Sequence, residues 1–578
     1  MGHRAKIKLK IEKLLNISLN SDSLETDKNG NLISLSLENI SLKNLDFLRE
    51  YEYLQKIEIY AKQNSSIMSL DLTPISNLKE LISLKLSSHD IADISPLQSL
   101  TSLTELFLMR NNIFDIEPLG TLNNLKILEL FDNKITKIDC LRNLKNLASL
   151  GLSRNLIEDI SSLMYLKDLE GGLTLGNNKI RDLRPLKSCK KIERFYIEHN
   201  LLEDLTGIED LTSINTLILN NNQIKDLSPI SKLKKVDYLN ACSNQITDIS
   251  SLENLKKIKF LKLADNKIRD ISSIRNLKKI LAFDFNKNQI EDLSPLENLT
   301  QLCEIELDFN NIKDLSPLST LKNLQILYAQ NNQITDISCI ANFSKKVFEL
   351  NLSSNQIENI IPLGSLKKLE SLTLNNNPIK DISVIGKLKK LDCLFLDNTP
   401  VKDLNPITTR PYIRQLSLCN NNLSESELDP LKKLECLEYL LLGGNTINYA
   451  SFLLSPNFKY IRRLDLSNSN LDNIEFLKNL TMLQGLNLSK NSIIDLSPLH
   501  DLDHLEMLNV QANNISNIKP IIRLFRRKHF YSVSMIENAE NYTLESGKLK
   551  LGNNPISREV QEVIENQDIN ALISFLEK

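Results

Sequence analysis

Leucine and isoleucine return along this chain at a fixed spacing, in the unit L-x-x-L-x-L-x-x-N-x-I-x-D-I/L-S-P-L-x-x-L, and a clean copy runs from Leu217 to Leu233 as LILNNNQIKDLSPISKL. The Asn column serves as a ruler: Asn111, Asn133, Asn155, Asn178, Asn200, Asn222, Asn244, Asn266, Asn288, Asn310, Asn332, Asn355 and Asn377, then Asn421, Asn445, Asn491, Asn513 and Asn554, with Thr399 and Ser469 filling two gaps. From Asn111 to Asn513, 18 intervals span 402 residues; 14 are 22 residues, two are 23 and two are 24. Upstream, His89, Lys62 and Ile40 stand in the same column of degenerate copies. Self-similarity at this period is the signature of a stacked repeat array, here of about 23 units.

Each column has a physical task. L-x-L reads as a short strand whose leucines point inward while the intervening residues face outward. A unit of this size cannot bury its own apolar face and has to stack on its neighbours. The column Asn falls where the chain leaves the strand, and its amide can satisfy buried backbone groups of adjacent units. Thr399 and Ser469 can do part of that work; His89 fits less well. The D-I/L-S-P-L segment predicts a helical turn on the outer side, with Ser as N-cap and Pro in the first position at Ser95-Pro96, Ser228-Pro229, Ser294-Pro295, Ser316-Pro317 and Ser497-Pro498.

Composition fits this design. Of 578 residues, 41% are apolar, 25% are charged, 15 are glycine and none is tryptophan, with a net charge of −2. The shortage of glycine disfavours phosphate-gripping loops and tight hairpins. The start, MGHRAKIKLKIEKLL, lacks the uninterrupted apolar stretch of a secretory leader, and no segment approaches a membrane span of roughly 20 apolar residues. Eight cysteines, at 140, 189, 242, 303, 339, 393, 419 and 436, are scattered without CxxC pairs. Free thiols in a reducing compartment look like this, so a cytoplasmic location is expected.

The unit resembles the 22-residue class of leucine-rich repeats found in bacterial internalins and in a protein-phosphatase regulatory subunit, over about nine-tenths of the chain. That resemblance implies an α/β fold: a right-handed leucine-rich-repeat solenoid (horseshoe) with a concave parallel β-sheet and short 3₁₀/α turns on the convex side. The segment from Leu549, LKLGNNPISREVQEVIENQDINALISFLEK, is similar to the one that closes the repeat array of bacterial Roco proteins before their GTPase domain, and IEKLLNISLNSDSLETDKNGNLISLSLENISL is similar to that array's start. No phosphate loop accompanies them: Gly386-Lys387 and Gly547-Lys548 are each followed by leucine and lack the earlier glycine of GxxxxGK[ST].

Domain boundaries follow from the period. We expect an N-terminal cap over 1–31, the array over 32–519, an irregular insertion over 520–548, and a last repeat with a C-terminal helical cap over 549–578. Ile7, Leu9, Ile11, Leu14 and Leu15 are expected to cover the first unit. Val560, Val563, Ile564, Ile569, Leu572, Ile573 and Leu576 are expected to cover the last, because an open array end exposes core leucines.

Catalytic constellations are poorly supported. His500 and His504 have metal-ligand spacing in HDLDH, yet Leu499, Leu502 and Leu505 hold the consensus positions and leave both histidines in variable outer slots. The aspartates at 226, 248, 270, 292, 314 and 336 recur with the repeat, as turn chemistry does. Cys242 and Cys419 follow a strand and are candidate exposed thiols without a charge-stabilising partner. Arg523, Arg526, Arg527, Lys528 and His529 form the one basic run, and the near-neutral net charge argues against nucleic acid.

The informative residues fall in sheet-face slots where the repeat requires nothing apolar. Phe107, Ile127 and Phe131 come from neighbouring units, with Arg110 beside them. Tyr196, Ile218, Tyr238 and Phe260 come from four successive units and are expected to form one stripe flanked by Arg194. Phe309, Ile326 and Tyr328 lie beside Asp284, Glu304, Glu306 and Asp308, an acidic patch with aromatic rims; Phe395, Tyr439 and Leu441 follow. Exposed apolar patches with aromatic anchors mark partner sites, against the plainer alternative that aromatic rings lie across neighbouring strands and stiffen the sheet. The expectation is a non-catalytic scaffold that binds a protein or peptide, without nucleic acid, membrane, metal or small-molecule cofactor. The alternatives are the regulatory repeat domain of a Roco-like GTPase and a regulatory subunit of a phosphatase.

Overall fold

Alternation of one leucine in and one side chain out needs only three residues to make a strand here. A computed structural model of the chain describes residues 2–40, 42, 44–61, 69–409, 412–526, 532–534, 547–565 and 569–577. It falls into two compact units, Met1–Ile290 and Glu291–Lys578. Each unit is a leucine-rich-repeat solenoid, in which short parallel strands alternate with single turns of 3₁₀ helix.

In the first unit, Thr216–Ile218 pairs in parallel with Arg194–Tyr196 on one side and Tyr238–Asn240 on the other, always one 22-residue repeat away. Leu217, Leu219, Ile224, Leu227, Ile230 and Leu233 of that repeat are fully buried, while Thr216 and Ile218 are half-exposed on the other face. The apolar columns therefore form one continuous core that no single repeat could enclose. The second unit repeats the pattern, as in Ser371–Thr373 between Glu349–Asn351 and Cys393–Phe395.

The outer turns depart from the expected cap. In Ser228–Lys232 the N-cap residue is Leu227, and no side chain caps it. Asp226, two residues before the serine, does that work: its carboxylate accepts the Ser228 amide at 2.7 Å and the Ser228 hydroxyl at 2.6 Å. The same pair closes Asp93 with Ser95, Asp314 with Ser316 and Asp495 with Ser497. A carboxylate reaches the first orphan amides better than a hydroxyl already inside the turn.

At the N-terminal end, helix His3–Leu15 precedes strand Leu24–Thr26, which pairs antiparallel with Leu32–Leu37. Only Ile11 of the helix is fully buried, with Ile7 and Leu15 half-buried. Leu9 and Leu14 are exposed, because i, i+4 spacing puts 7, 11 and 15 on one face and leaves these two on the other. Near the other end, Lys548–Lys550 lies between Met507–Asn509 and Ser532–Ser534, parallel to both. Helices Arg558–Glu565 and Ile569–Glu577 follow and bury Val560, Ile564, Leu572 and Leu576. Lys62 and most of 520–548, including Arg527, Lys528 and His529, lie outside the described residues. Among the described residues no helix is long and apolar enough to cross a membrane.

Candidate functional site

The exposed face of the sheet is built by the residues that alternate with the buried leucines, three slots per repeat. The slots end at a fixed corner. The residue just before each column Asn adopts left-handed backbone, with φ between 52° and 60° from Arg110 to Lys287. Its amide continues the ladder, as Arg110 does to the Phe131 carbonyl at 2.8 Å. The column Asn then locks the corner from the core side: Asn133 Nδ2 donates to the carbonyls of Leu108 and Leu130, and its Oδ1 accepts the Ile113 amide.

In the first unit, Phe107 and Phe131 are half-buried on this face. The Lys85 ammonium sits 4.9 Å from the Phe107 ring centroid and the Arg154 guanidinium 5.4 Å from that of Phe131, cation–π geometry in both cases. Phe107 stands directly opposite Glu129, not opposite Ile127 or Phe131. Arg110 is an exposed corner residue at the rim.

Tyr196, Ile218, Tyr238 and Phe260 do not make one stripe. The register pairs Tyr196 with Ile218, and Tyr238 with Phe260, in rows two residues apart. The second pair is in ring contact, with centroids 5.9 Å apart and planes tilted by 39°. Phe260 is 38% exposed and Arg194 is exposed in the row of Tyr238. The four residues in successive units therefore form two staggered pairs, because they occupy different slots of the same strand pattern.

In the second unit, the acidic cluster is partly committed internally. Asp308 is buried, and its carboxylate accepts the Gln330 amide at 2.8 Å and the Gln330 side chain at 3.0 Å. The Tyr328 hydroxyl donates to Glu349 at 2.8 Å, and burial together with that carboxylate raises its pKa above the usual phenol value. Glu306 is opposite Tyr328 in register. Phe309 is not a strand residue: it is the corner residue of its repeat, 47% exposed at φ 58°.

Burial pushes the Cys419 thiol up to about 12, which removes it as an exposed reactive thiol. His500 Nδ1 lies 3.2 Å from the Pro520 carbonyl, and among the described residues no group of three or more His, Cys, Asp or Glu is placed to hold a metal. Arg523 is paired with Asp501 at 3.0 Å and Asp503 at 3.6 Å, and Arg526 is paired with Glu577.

A further feature of the sheet face is not marked by aromatics. In the face slots of the two neighbouring strands Ser149–Gly151 and Gly172–Thr174, continued by Ser153 and Gly176, nothing is larger than threonine, the leucines Leu150 and Leu173 pointing into the core. Glu129 lies over Gly151 and Glu198 over Gly176, so that a Cβ on either glycine would collide with the carboxylate. Burial raises the pKa of Glu129. Its sequence signal was glycine itself: in a chain with 15 glycines, 151, 172 and 176 all fall in face slots, and strand glycine marks a place where something approaches closely.

Repeats, buried Asn ladder and open sheet face define a leucine-rich-repeat protein, and the comparisons agree. The family described as Leucine Rich repeats (2 copies) matches residues 212–254, 234–276, 300–342, 345–386 and 367–409. An internalin from Listeria monocytogenes is 30% identical, over 59% of this chain and 87% of that one, with a TM-score of 0.43. The plant peptide hormone receptor RGFR1 in complex with RGF2 is 18% identical, over 93% and 95%, with a TM-score of 0.61. The Arabidopsis receptor kinase HAESA ectodomain, in complex with an N-terminally extended IDA peptide hormone ligand, is 20% identical, over 89% and 95%, with a TM-score of 0.60. No curated protein matches the chain. The chain belongs to the leucine-rich-repeat proteins of internalin-like type.

Proposed function

We propose that this chain is a non-catalytic interaction module that holds a protein or peptide partner against the exposed face of its sheet. The observation that carries this is the set of aromatic side chains left in slots where the fold asks for none, above all the Tyr238–Phe260 pair. Tyr196 and Ile218 form the second anchor, and Phe107 and Phe131 a third. Phe309, Tyr328 and Glu306 are candidate contacts in the second unit, with Asp308 serving to shape that surface. Rigid rings offer contact area at little entropic cost. The two plant receptors of the same fold are described with bound peptide hormones, which supports a peptide-sized occupant.

Nucleic acid, membrane and cofactor play no part in this reading. A net charge of −2 gives a phosphate backbone little electrostatic hold. The eight cysteines, all free, support a reducing, cytoplasmic setting. Substituting Tyr196, Tyr238 and Phe260 together by Ala is expected to weaken partner capture by at least tenfold with little change in thermal midpoint. Intact capture with a large loss of stability would assign those rings to the sheet instead.

A second reading, favoured by the resemblance of both end segments to Roco proteins, is that the module regulates a GTPase. Capture of a GTP-hydrolysing protein whose turnover changes on addition of this chain supports it; unchanged turnover removes it.

A further inference from the structure

Resting on the peptide-binding reading above, we propose that the small-residue strip over Gly151 and Gly176 seats a single cationic side chain, an arginine of an extended peptide, between Glu129 and Glu198. Shape is the first argument. On either side of the strip stand larger walls, Ile127 and Phe131 on the strand before it and Arg194 and Tyr196 on the strand after it. The wall strands are three strand spacings apart, about 14 Å between their axes, which leaves room between the wall side chains for one extended backbone.

Charge is the second. Glu129 and Glu198 come from the two walls and lean inward over the floor, each covering a glycine on the adjacent strand. Gly151 and Gly176 lie one strand and two residues apart, about 8 Å, so a group midway is roughly 4 Å from each carboxylate. That is ion-pair range for a planar guanidinium, which has donors on two edges. Neither carboxylate has an ion-pair partner among the described residues, and Glu198 Oε2 is buried without a hydrogen-bond donor. A buried carboxylate oxygen without a donor is costly alone and is satisfied when a cation arrives. The nearby cations are otherwise placed. Arg154 stacks on Phe131. Arg194 stands two slots up the strand from Glu198, where it repels a second basic residue and fixes the register of the peptide.

The test uses the full chain and fluorescein-labelled nonapeptide pools with Arg, Gln or Glu fixed at the centre and the other positions mixed. The Arg pool is expected to bind at least tenfold tighter than the Gln pool, with the Glu pool weakest. The Glu129→Gln/Glu198→Gln double variant is expected to bind the Arg and Gln pools equally while keeping its circular dichroism spectrum and melting midpoint. Glu198→Arg is expected to reverse the preference toward the Glu pool. Equal binding of all three pools to the unsubstituted chain overturns the arginine seat and leaves peptide binding standing. Absence of binding by every pool overturns both. An Arg preference that survives in the double variant places the seat elsewhere and also overturns it.

Discussion

The side-chain amide of Asn133 donates to the backbone carbonyl of Leu108 at 2.9 Å, across 25 residues of chain. The same amide reaches its own strand at Leu130, 3.0 Å away, and its oxygen takes the Ile113 amide of the preceding repeat at 3.0 Å. One side chain thus satisfies three buried backbone groups that belong to two repeats. Asn133→Ala strands all three and is expected to lower unfolding free energy by about 3 kcal/mol. Asn133→Asp is expected to cost at least as much, since a carboxylate has no donor for the two carbonyls. Urea titration reads both; a loss below about 1 kcal/mol in either would mean that water replaces the amide.

His89 holds the same column two repeats earlier and fills it badly. It is fully buried, and neither ring nitrogen finds a hydrogen-bond partner among the described residues. Burial lowers its pKa below the ordinary 6.5. The unfolded chain therefore binds a proton more readily than the folded one, so stability present above about pH 6.5 declines as pH falls below that value. His89→Asn restores the amide of the column and is expected to stabilise by about 1 kcal/mol at pH 7. The gain should be larger at pH 5.5, where the imidazole cost is added. Parallel unfolding titrations at the two pH values check this, and a gain that shrinks on acidification would refute it.

Much of the fold was written in the period: strands, buried leucines and the Asn ladder all follow from column chemistry. The corner was not legible, because the left-handed position carries Arg110, Asp132, Arg154, Asn177 and Phe309 alike. The backbone there is imposed by the strand ladder on one side and the next Asn on the other, so residue type hardly registers. The candidate site was half legible. Aromatic slots could be read off, but whether Tyr196 aligns with Ile218 or with Tyr238 depends on register. The leaning of Glu129 over Gly151 is a relation between two strands that no single repeat displays. Nor does Ser532–Ser534 carry the L-x-L pattern, although Val533 stands in register with Leu549.

Phe309 is the bulkiest side chain among those corner residues, at φ 58° and 47% exposed. A β-carbon in the left-handed region costs roughly 1 kcal/mol, less for Asn than for an aromatic residue. Its amide bond to the Gln330 carbonyl, 2.9 Å, is made by the backbone and survives substitution. Phe309→Asn is therefore expected to raise the thermal midpoint by a few degrees while removing an exposed ring from the candidate surface. A calorimetric scan decides: a lowered midpoint would show that the ring packs more than it strains.

The outer aspartates make the array acid-sensitive. The Ser338 amide and hydroxyl hold Asp336 below the usual carboxylate pKa of 3.8, the Ser383 pair does the same for Asp381, and the Ser497 hydroxyl and amide do so for Asp495. Because the folded pKa is the lower one, the unfolded chain protonates first. The contribution is complete above about pH 4 and is lost as pH falls through the folded values. Each carboxylate is exposed and individually weak, so the effect is read from several together. Asn can make the same turn without titrating, as Asn359 does by accepting the Ile361 amide at 3.0 Å. Replacing Asp336, Asp381 and Asp495 by Asn is expected to leave stability at pH 7 nearly unchanged and to move the midpoint of acid unfolding to lower pH. Far-ultraviolet circular dichroism from pH 5 to pH 2 follows it. Superimposable acid transitions for the two chains would show that other carboxylates carry the acid limb.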